Sequence, residues 1–371
     1  MAKPLSLAIY LPNLNGGGAE RLQINLASYF LAQNVDVTFV LDRAEGILLD
    51  QIPSDAKPVV FNNKRTMRSV PSLARYLHQK RPDILLSNLS HNNVVALVAK
   101  KLALVDTKVI VCQHNAMSSE AVSSKKKFGV IPTLYRAFLP LADGIVAVSQ
   151  GVADDMVRVA RMPASAITTI RNGAITPDFD VRAAEPVQHP WLRQRDTPTF
   201  VALGRLVEQK DFSTLIHALA ECRKTRDVRL VILGEGKLLN SLTQLAGELN
   251  VEDHVSLPGY TLNPFPSMRA ASAVVLSSIH EGFANVLAEA LACGTPVVST
   301  DCPEGPREIL ENGVYGRLTP VGDYKAMATA MLATLDDAPR REQLQERGRE
   351  FSVATCGQRY MELFQKVLAK T

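Results

Sequence analysis

Residues 273–300 read AVVLSSIHEGFANVLAEALACGTPVVST, and their pattern decides the fold. AVVLSS and TPVVST are short apolar runs of strand length. Ser277-Ser278-Ile279-His280 closes the first run, and Glu281-Gly282-Phe283 reads as a turn. Ala284-Asn285 opens a helix that Gly294 and Pro296 bring to a stop. Strand, helix, strand without room for a hairpin predicts a parallel βαβ unit. Outward from this stretch the same alternation continues. TFVALGRL, VRLVILG and HVSLPG precede it, interleaved with helix-like segments, and LSLAIYLP, VDVTFVL, DILLSNL, KVIVCQH, GIVAVS and AITTI form an equivalent series in the first half. Helix-like stretches at 19–33, 71–80, 92–103 and 149–161 lie between several of the latter. The polar, proline-containing segment 172–197 reads as a linker. The expectation is an α/β chain of two Rossmann-like domains facing a cleft, 1–175 and 176–355, with a C-terminal helix in 356–371 crossing back to the first.

A length of 371 residues favours two domains, and 46% hydrophobic with 21% charged residues is a globular composition. The net charge of +4 is unevenly spread: residues 1–180 hold 20 Lys and Arg against 14 Asp and Glu, and the remainder holds 21 against 23. The first half is therefore expected to meet an anion: nucleic acid, a phospholipid surface or a phosphorylated acceptor. Five scattered cysteines without a CxxC pair argue against a metal knuckle or a disulfide scaffold and fit a reducing cytosol. No signal peptide is read before SLAIYLP, and no apolar run approaches the roughly 20 residues of a membrane span.

In open α/β sheets ligands bind beyond the carboxyl ends of the strands, so the loops there hold the candidates. NLNGGGAE places Gly16, Gly17 and Gly18 at a helix start, where backbone N–H groups can meet phosphate; the alternative is a tight strand-to-helix turn. Arg21 stands where a dinucleotide fingerprint needs glycine, and no Gly-Lys-Ser/Thr follows, so neither that motif nor a P-loop is present. His114 ends a strand, where it either serves a sugar or phosphate or is structural. Lys125, Lys126 and Lys127 precede Phe128, Ile131, Leu134, Tyr135, Phe138 and Leu139, which share one helical face. That pairing suits an anionic membrane interface or an ordinary solvated charge run. Arg205 and Lys210, five apart in one loop, can clamp a diphosphate. Gly234 and Glu235 lie in LGEG, a second strand-to-glycine turn, with Glu235 a candidate to face the cleft.

Within the opening stretch, the N–H groups of Ala284, Asn285, Val286 and Leu287 are expected to point at an anion. Glu281 precedes the helix and Glu289 lies inside it, about 6 Å beyond Asn285 at 1.5 Å per residue. This spacing fits a nucleotide-sugar, with Glu281 at sugar hydroxyls, the diphosphate at the helix start and Glu289 at the ribose.

The E-x7-E pattern of Glu281 and Glu289, with GRLVEQK, LGEG and NGGGAE in that context, resembles the retaining GT-B glycosyltransferases of family 4, over residues from about 10 to 310. DCPEGPREIL at 301–310 resembles members that build bacterial surface polysaccharides or lipid-linked oligosaccharides. The resemblance implies an acceptor-binding first domain and a nucleotide-sugar-binding second domain. It implies that Arg205 and Lys210 neutralise the donor diphosphate, that Glu281 contacts the sugar and Glu289 the ribose, and that backbone from Phe283 to Leu287 holds sugar and phosphates. His114 matches a family histidine near the reacting centre, and Gly16–Gly18 would approach donor phosphates or acceptor. The implied reaction moves a hexose or N-acetylhexosamine (GalNAc, GlcNAc or Gal) from a UDP-sugar to a polyprenyl-diphosphate-linked saccharide, with no metal, no other cofactor and no nucleic acid. The implied location is cytoplasmic, peripheral to the inner face of the membrane. Alternatives are a glycosyltransferase with a soluble acceptor, a sugar-nucleotide epimerase of the same fold and a non-catalytic nucleotide-sugar-binding partner.

Overall fold

The computed structural model describes residues 3–118 and 130–369. The chain divides into two units: 1–173 together with 353–371, and 174–352.

The first unit holds a seven-stranded sheet in the order β3-β2-β1-β4-β5-β6-β7, and every neighbouring pair is parallel. The strands are β1 (Ser6–Leu11), β2 (Asp36–Leu41), β3 (Pro58–Val60), β4 (Ile84–Asn88), β5 (Lys108–Gln113), β6 (Gly144–Ala147) and β7 (Ile167–Thr169). β1, β4 and β5 are almost wholly buried, as their continuous apolar runs require when helices cover both faces. Helices α1 (Gly18–Ala32), α2 (Val70–Lys80) and α3 (Ser90–Ala103) make the crossovers. Chain direction across the sheet reverses between β1 and β4, so the loops after these two strands flank the switch point.

The helix Val353–Leu368 belongs to this first unit and begins three residues ahead of the stretch read from sequence. Its Phe364 and Tyr360 rings lie 5.4 and 6.3 Å from Phe30 of α1, and the Tyr360 hydroxyl reaches Cys112 Sγ of β5 at 3.3 Å. Gly357 permits the approach, because a Cβ there would stand 2.3 Å from Tyr29 Cδ1.

The second unit holds a six-stranded parallel sheet in the order β10-β9-β8-β11-β12-β13. Its strands are β8 (Thr199–Leu203), β9 (Arg229–Leu233), β10 (Val255–Gly259), β11 (Ala273–Leu276), β12 (Val297–Thr300) and β13 (Arg317–Thr319). The opening stretch is the unit β11, helix Asn285–Ala292, β12. The order reverses here between β8 and β11.

The segment read as a linker is not one. It contains helices Phe179–Ala183 and Pro190–Gln194, and it buries Phe179 and Leu192 in the second unit. Phe179 packs 4.6 Å from the Phe265 ring, and the Arg182 guanidinium covers the same ring at 4.7 Å. Two strands absent from the sequence reading, β3 and β13, are three-residue strands at sheet edges.

Candidate active site

In the second unit the loops after β8 and β11 stand side by side because these strands are neighbours. The chain ties them together through uncharged bonds. Ser277 Oγ donates to Lys210 O at 2.7 Å, Ile279 N to Gln209 O at 2.8 Å, and Gln209 Nε2 to His280 O at 2.9 Å. On this frame Glu281, buried, receives Lys210 Nζ at 2.5 Å and Ser278 Oγ at 2.6 Å, both on Oε1. Thr300 of β12 fixes Ser278 in turn through its carbonyl, at 2.6 Å. The structure thus brings Lys210 and Glu281 together as an ion pair. Ser278, Gln209 and Thr300 complete the arrangement and were not read from sequence, where a neutral hydroxyl or amide at a strand end has no distinguishing pattern.

Arg205 lies exposed in the same loop as Lys210 and makes no ion pair among the described residues. An exposed guanidinium in the loop that also holds the paired Lys210 suits an incoming anion. Ala284 adopts the left-handed conformation, φ +61° and ψ +58°, and so turns the chain abruptly into the helix. Leu287 N donates to Ala284 O at 2.9 Å, which removes it from the set expected to face an anion. Among the described residues the N–H groups of Ala284 and Val286 have no acceptor. Asn285 and Glu289 are half-buried on the same helix. The Phe283 side chain packs inward, 5.5 Å from the Phe351 ring, so only its backbone borders the turn. Gly305 lies beneath that turn, where a Cβ would come within 2.7 Å of Phe283 C and O.

LGEG has a structural use. A Cβ on Gly234 would fall 1.9 Å from Gly204 O, so this glycine lets the loops after β8 and β9 meet. Leu206 N donates to Glu235 O at 2.8 Å, while the Glu235 side chain is exposed.

In the first unit, Gly17 is the residue before α1 and Gly18 its first residue. A Cβ on Gly17 would meet Glu20 Oε2 at 2.3 Å, and one on Gly16 would meet Ile47 Cδ1 at 2.8 Å. Gly16, at φ +94°, gives the chain the left-handed turn that leads into α1. His114 follows β5 directly and is buried, with Nε2 2.9 Å from Asn88 Oδ1. Burial holds its pKa down, to about 4, so the imidazole is neutral at pH 7. Lys125, Lys126 and Lys127 lie outside the described residues. The apolar face assigned to the following helix needs correction. Tyr135 and Leu139 are buried, and the Tyr135 hydroxyl donates to Gln113 Oε1 at 2.8 Å. These two side chains complete the core of the first unit and offer nothing to an external surface.

Two family models match the chain in tandem: Glycosyltransferase Family 4 over residues 16–176, and Glycosyl transferases group 1 over residues 186–351. The chain belongs to the family 4 glycosyltransferases. Its fold is GT-B. Anabaena Alr3699/HepE, solved in complex with UDP and glucose, superposes with a TM-score of 0.81 at 22% identity, over 98% of this chain and 100% of that one. The Campylobacter jejuni N-acetylgalactosamine-N,N'-diacetylbacillosaminyl-diphospho-undecaprenol 4-alpha-N-acetylgalactosaminyltransferase is 27% identical over 91% of this chain and 92% of its own. The lipopolysaccharide 1,6-galactosyltransferase of Escherichia coli is 26% identical over 72% of this chain and 69% of its own. At the end of the second sheet, the Lys210–Glu281 pair and the start of helix Asn285–Ala292 bring an ion pair and backbone N–H groups into one loop region.

Proposed function

We propose that this glycosyltransferase moves a hexose or N-acetylhexosamine from a UDP-sugar to a lipid-linked saccharide, with retention at the anomeric carbon. The observation that carries the donor half is the convergence of Lys210, Arg205 and the helix start at Ala284 on the switch point of the second unit. Two cations and a helix terminus stabilise the charge that develops on a departing diphosphate. The bond from C1 to the diphosphate oxygen breaks and one from C1 to the acceptor oxygen forms. The acceptor proton passes to the leaving phosphate, so no carboxylate nucleophile is needed. Glu281 is assigned to sugar hydroxyls, Glu289 to the ribose and His114 to the transferring sugar or its acceptor. UDP in a neighbour of the same fold supports the nucleotide, and the Campylobacter jejuni relative supports a diphospholipid acceptor.

The reading places the enzyme peripherally at the inner face of the cytoplasmic membrane. No helix among the described residues is long and apolar enough to cross one. Neutralisation of the leaving group is assigned to protein groups without a metal ion, so an EDTA-treated sample should turn over at the untreated rate. The deciding experiment is a panel of UDP-sugars scored for UDP release with and without polyprenyl-diphosphate-linked saccharides. Release that depends on the lipid-linked acceptor, with the α-anomeric configuration retained, is the expected result. Isomerised UDP-sugar with no acceptor present would replace the reading with an epimerase, and release driven equally by a soluble sugar would remove the lipid acceptor.

A further inference from the structure

The ends of β4 and β5 in the first unit are laced by side chains that carry no charge. Asn88 and Cys112 are partners in the parallel register, and alternation along β5 sends Cys112 and His114 to one face and Gln113 to the other. On the Gln113 side, Nε2 donates to Ser90 Oγ at 3.0 Å and to Asn115 O at 2.7 Å, while Oε1 accepts from the Tyr135 hydroxyl at 2.8 Å. Asn93 Nδ2 donates to Cys112 O at 3.0 Å and Asn93 N to Leu89 O at 3.0 Å. The residues on both sides of His114 are therefore held, and so is the turn that follows Asn88.

That turn is strained. Leu89 has φ +72° and ψ +146°, a region that glycine occupies and branched side chains avoid. A leucine stays there only where its surroundings over-determine the backbone, and the lacing just described does so. The consequence is the placement of Asn88, fully buried, with Nδ2 directed to Leu86 O at 3.4 Å and Oδ1 to the imidazole. An amide oxygen only accepts, so the 2.9 Å contact makes Nε2 the protonated ring nitrogen.

We propose that Asn88 is a positioning residue for His114: it fixes the imidazole as the Nε2–H tautomer and leaves Nδ1 as a lone-pair nitrogen that accepts a hydrogen bond from a saccharide hydroxyl. The proposal rests on the assignment of His114 to the transfer step. Among the described residues Nδ1 has no hydrogen-bond partner, and the groups that fix the ring and its flanks, Asn88, Ser90, Gln113 and Asn115, are all uncharged. A neutral frame keeps the ring neutral and prevents it from acting as a cation toward phosphate. A tautomer fixed by its neighbour presents the same nitrogen in every molecule.

The test uses the full chain with isotope-labelled histidine. Nitrogen-15 correlation spectra should show His114 protonated at Nε2 and bare at Nδ1. Asn88→Ala should give mixed tautomers and lower kcat on the order of 10²-fold, while KM for the donor stays near the original. Asn88→Asp, which keeps the shape and the acceptor, should retain the Nε2–H tautomer. Its carboxylate should raise the ring pKa and move the acid limb of the kcat profile to higher pH. Adding Asn88→Ala to His114→Ala should cost nothing further. A native ring protonated at Nδ1, or losses that multiply across the double variant, would overturn the proposal. Full activity in His114→Ala beside a native Nε2–H spectrum would instead overturn the assignment of His114 and leave the tautomer as found.

Discussion

The two units place the same device at the same point of two parallel sheets, and they equip it oppositely. After β8 and β11 the second unit presents Arg205, the Lys210–Glu281 pair and a helix start. After β1, β4 and β5 the first unit presents glycines, Asn88 and a neutral His114. Under the proposed function the charged set of the second unit meets the diphosphate, and Asn88 and His114 of the first unit offer uncharged hydrogen-bonding groups. Division of labour in a group transfer has this form: the leaving diphosphate needs cations, whereas hydroxyls that differ between saccharides need directional partners.

The comparison breaks first at the charged site. Lys210→Ala is expected to lower kcat by about 10²- to 10³-fold through loss of a cation at the leaving group, with Glu281→Ala similar through loss of the sugar contact, and each strands a poorly solvated partner. The two changes together should cost little more than either, since the groups act as a pair through a 2.5 Å contact. Steady-state kinetics on the folded variants decide it. Near-original turnover in either would remove the pair from the chemistry.

At the neutral site the corresponding experiment is a pH dependence. His114 titrates near 4 when folded and near 6.5 when unfolded, so between these values the unfolded chain binds the extra proton. The favourable contribution of the neutral ring is complete above pH 6.5 and is lost as pH falls toward 4, roughly 3 kcal/mol in all and about 2 kcal/mol by pH 5. Urea unfolding of the first unit at pH 7 and pH 5 should show this loss in the native chain and not in His114→Asn. An equal pH slope in both would mean that the ring is not buried neutral.

This opposition also explains what was legible in the chain. The βαβ pattern of 273–300 is local, with its turn, helix start and stop signals contiguous, and Glu281 and Glu289 stand out within it, as Arg205 and Lys210 do in GRLVEQK. Edge strands β3 and β13 escape because each has three residues of which one is a proline or an arginine, whereas β7, equally short, lies in the uncharged run AITTI. The 172–197 segment misleads because its two helices are five residues long, too short to show a period, yet they bury Phe179 and Leu192. Tyr135 and Leu139 share an apolar face with their neighbours, but helical spacing cannot say whether a face looks inward. Asn88 meets His114 only because the sheet pairs strands that are separate in the sequence, and Ser278 meets Glu281 only through the fold of the turn between them. Charge is visible in one dimension; a neutral contact is visible only after folding.

A smaller effect separates fold from site. Gly357→Ala sets a methyl group against the half-buried Tyr29 ring of α1 and is expected to cost about 1–3 kcal/mol. Thermal denaturation should register the loss, while UDP affinity measured by calorimetry below the transition stays unchanged, because the charged set lies wholly in the second unit. A parallel loss of UDP affinity would show that the donor site depends on the first unit's core.

The finest test lies between the two kinds of chemistry, at a neutral residue of the charged site. Ser278→Ala removes one of the two donors on Glu281 Oε1 and leaves Lys210 in place. The lost bond is to a charged acceptor in a buried position, but the carboxylate keeps its stronger partner, so kcat should fall about tenfold, or about 1.4 kcal/mol. KM for the donor should remain near its original value if the serine only aims the carboxylate. A loss as large as that of Glu281→Ala would mean that Lys210 alone cannot hold Glu281. The charged site would then depend on neutral contacts as fully as the site around His114 does.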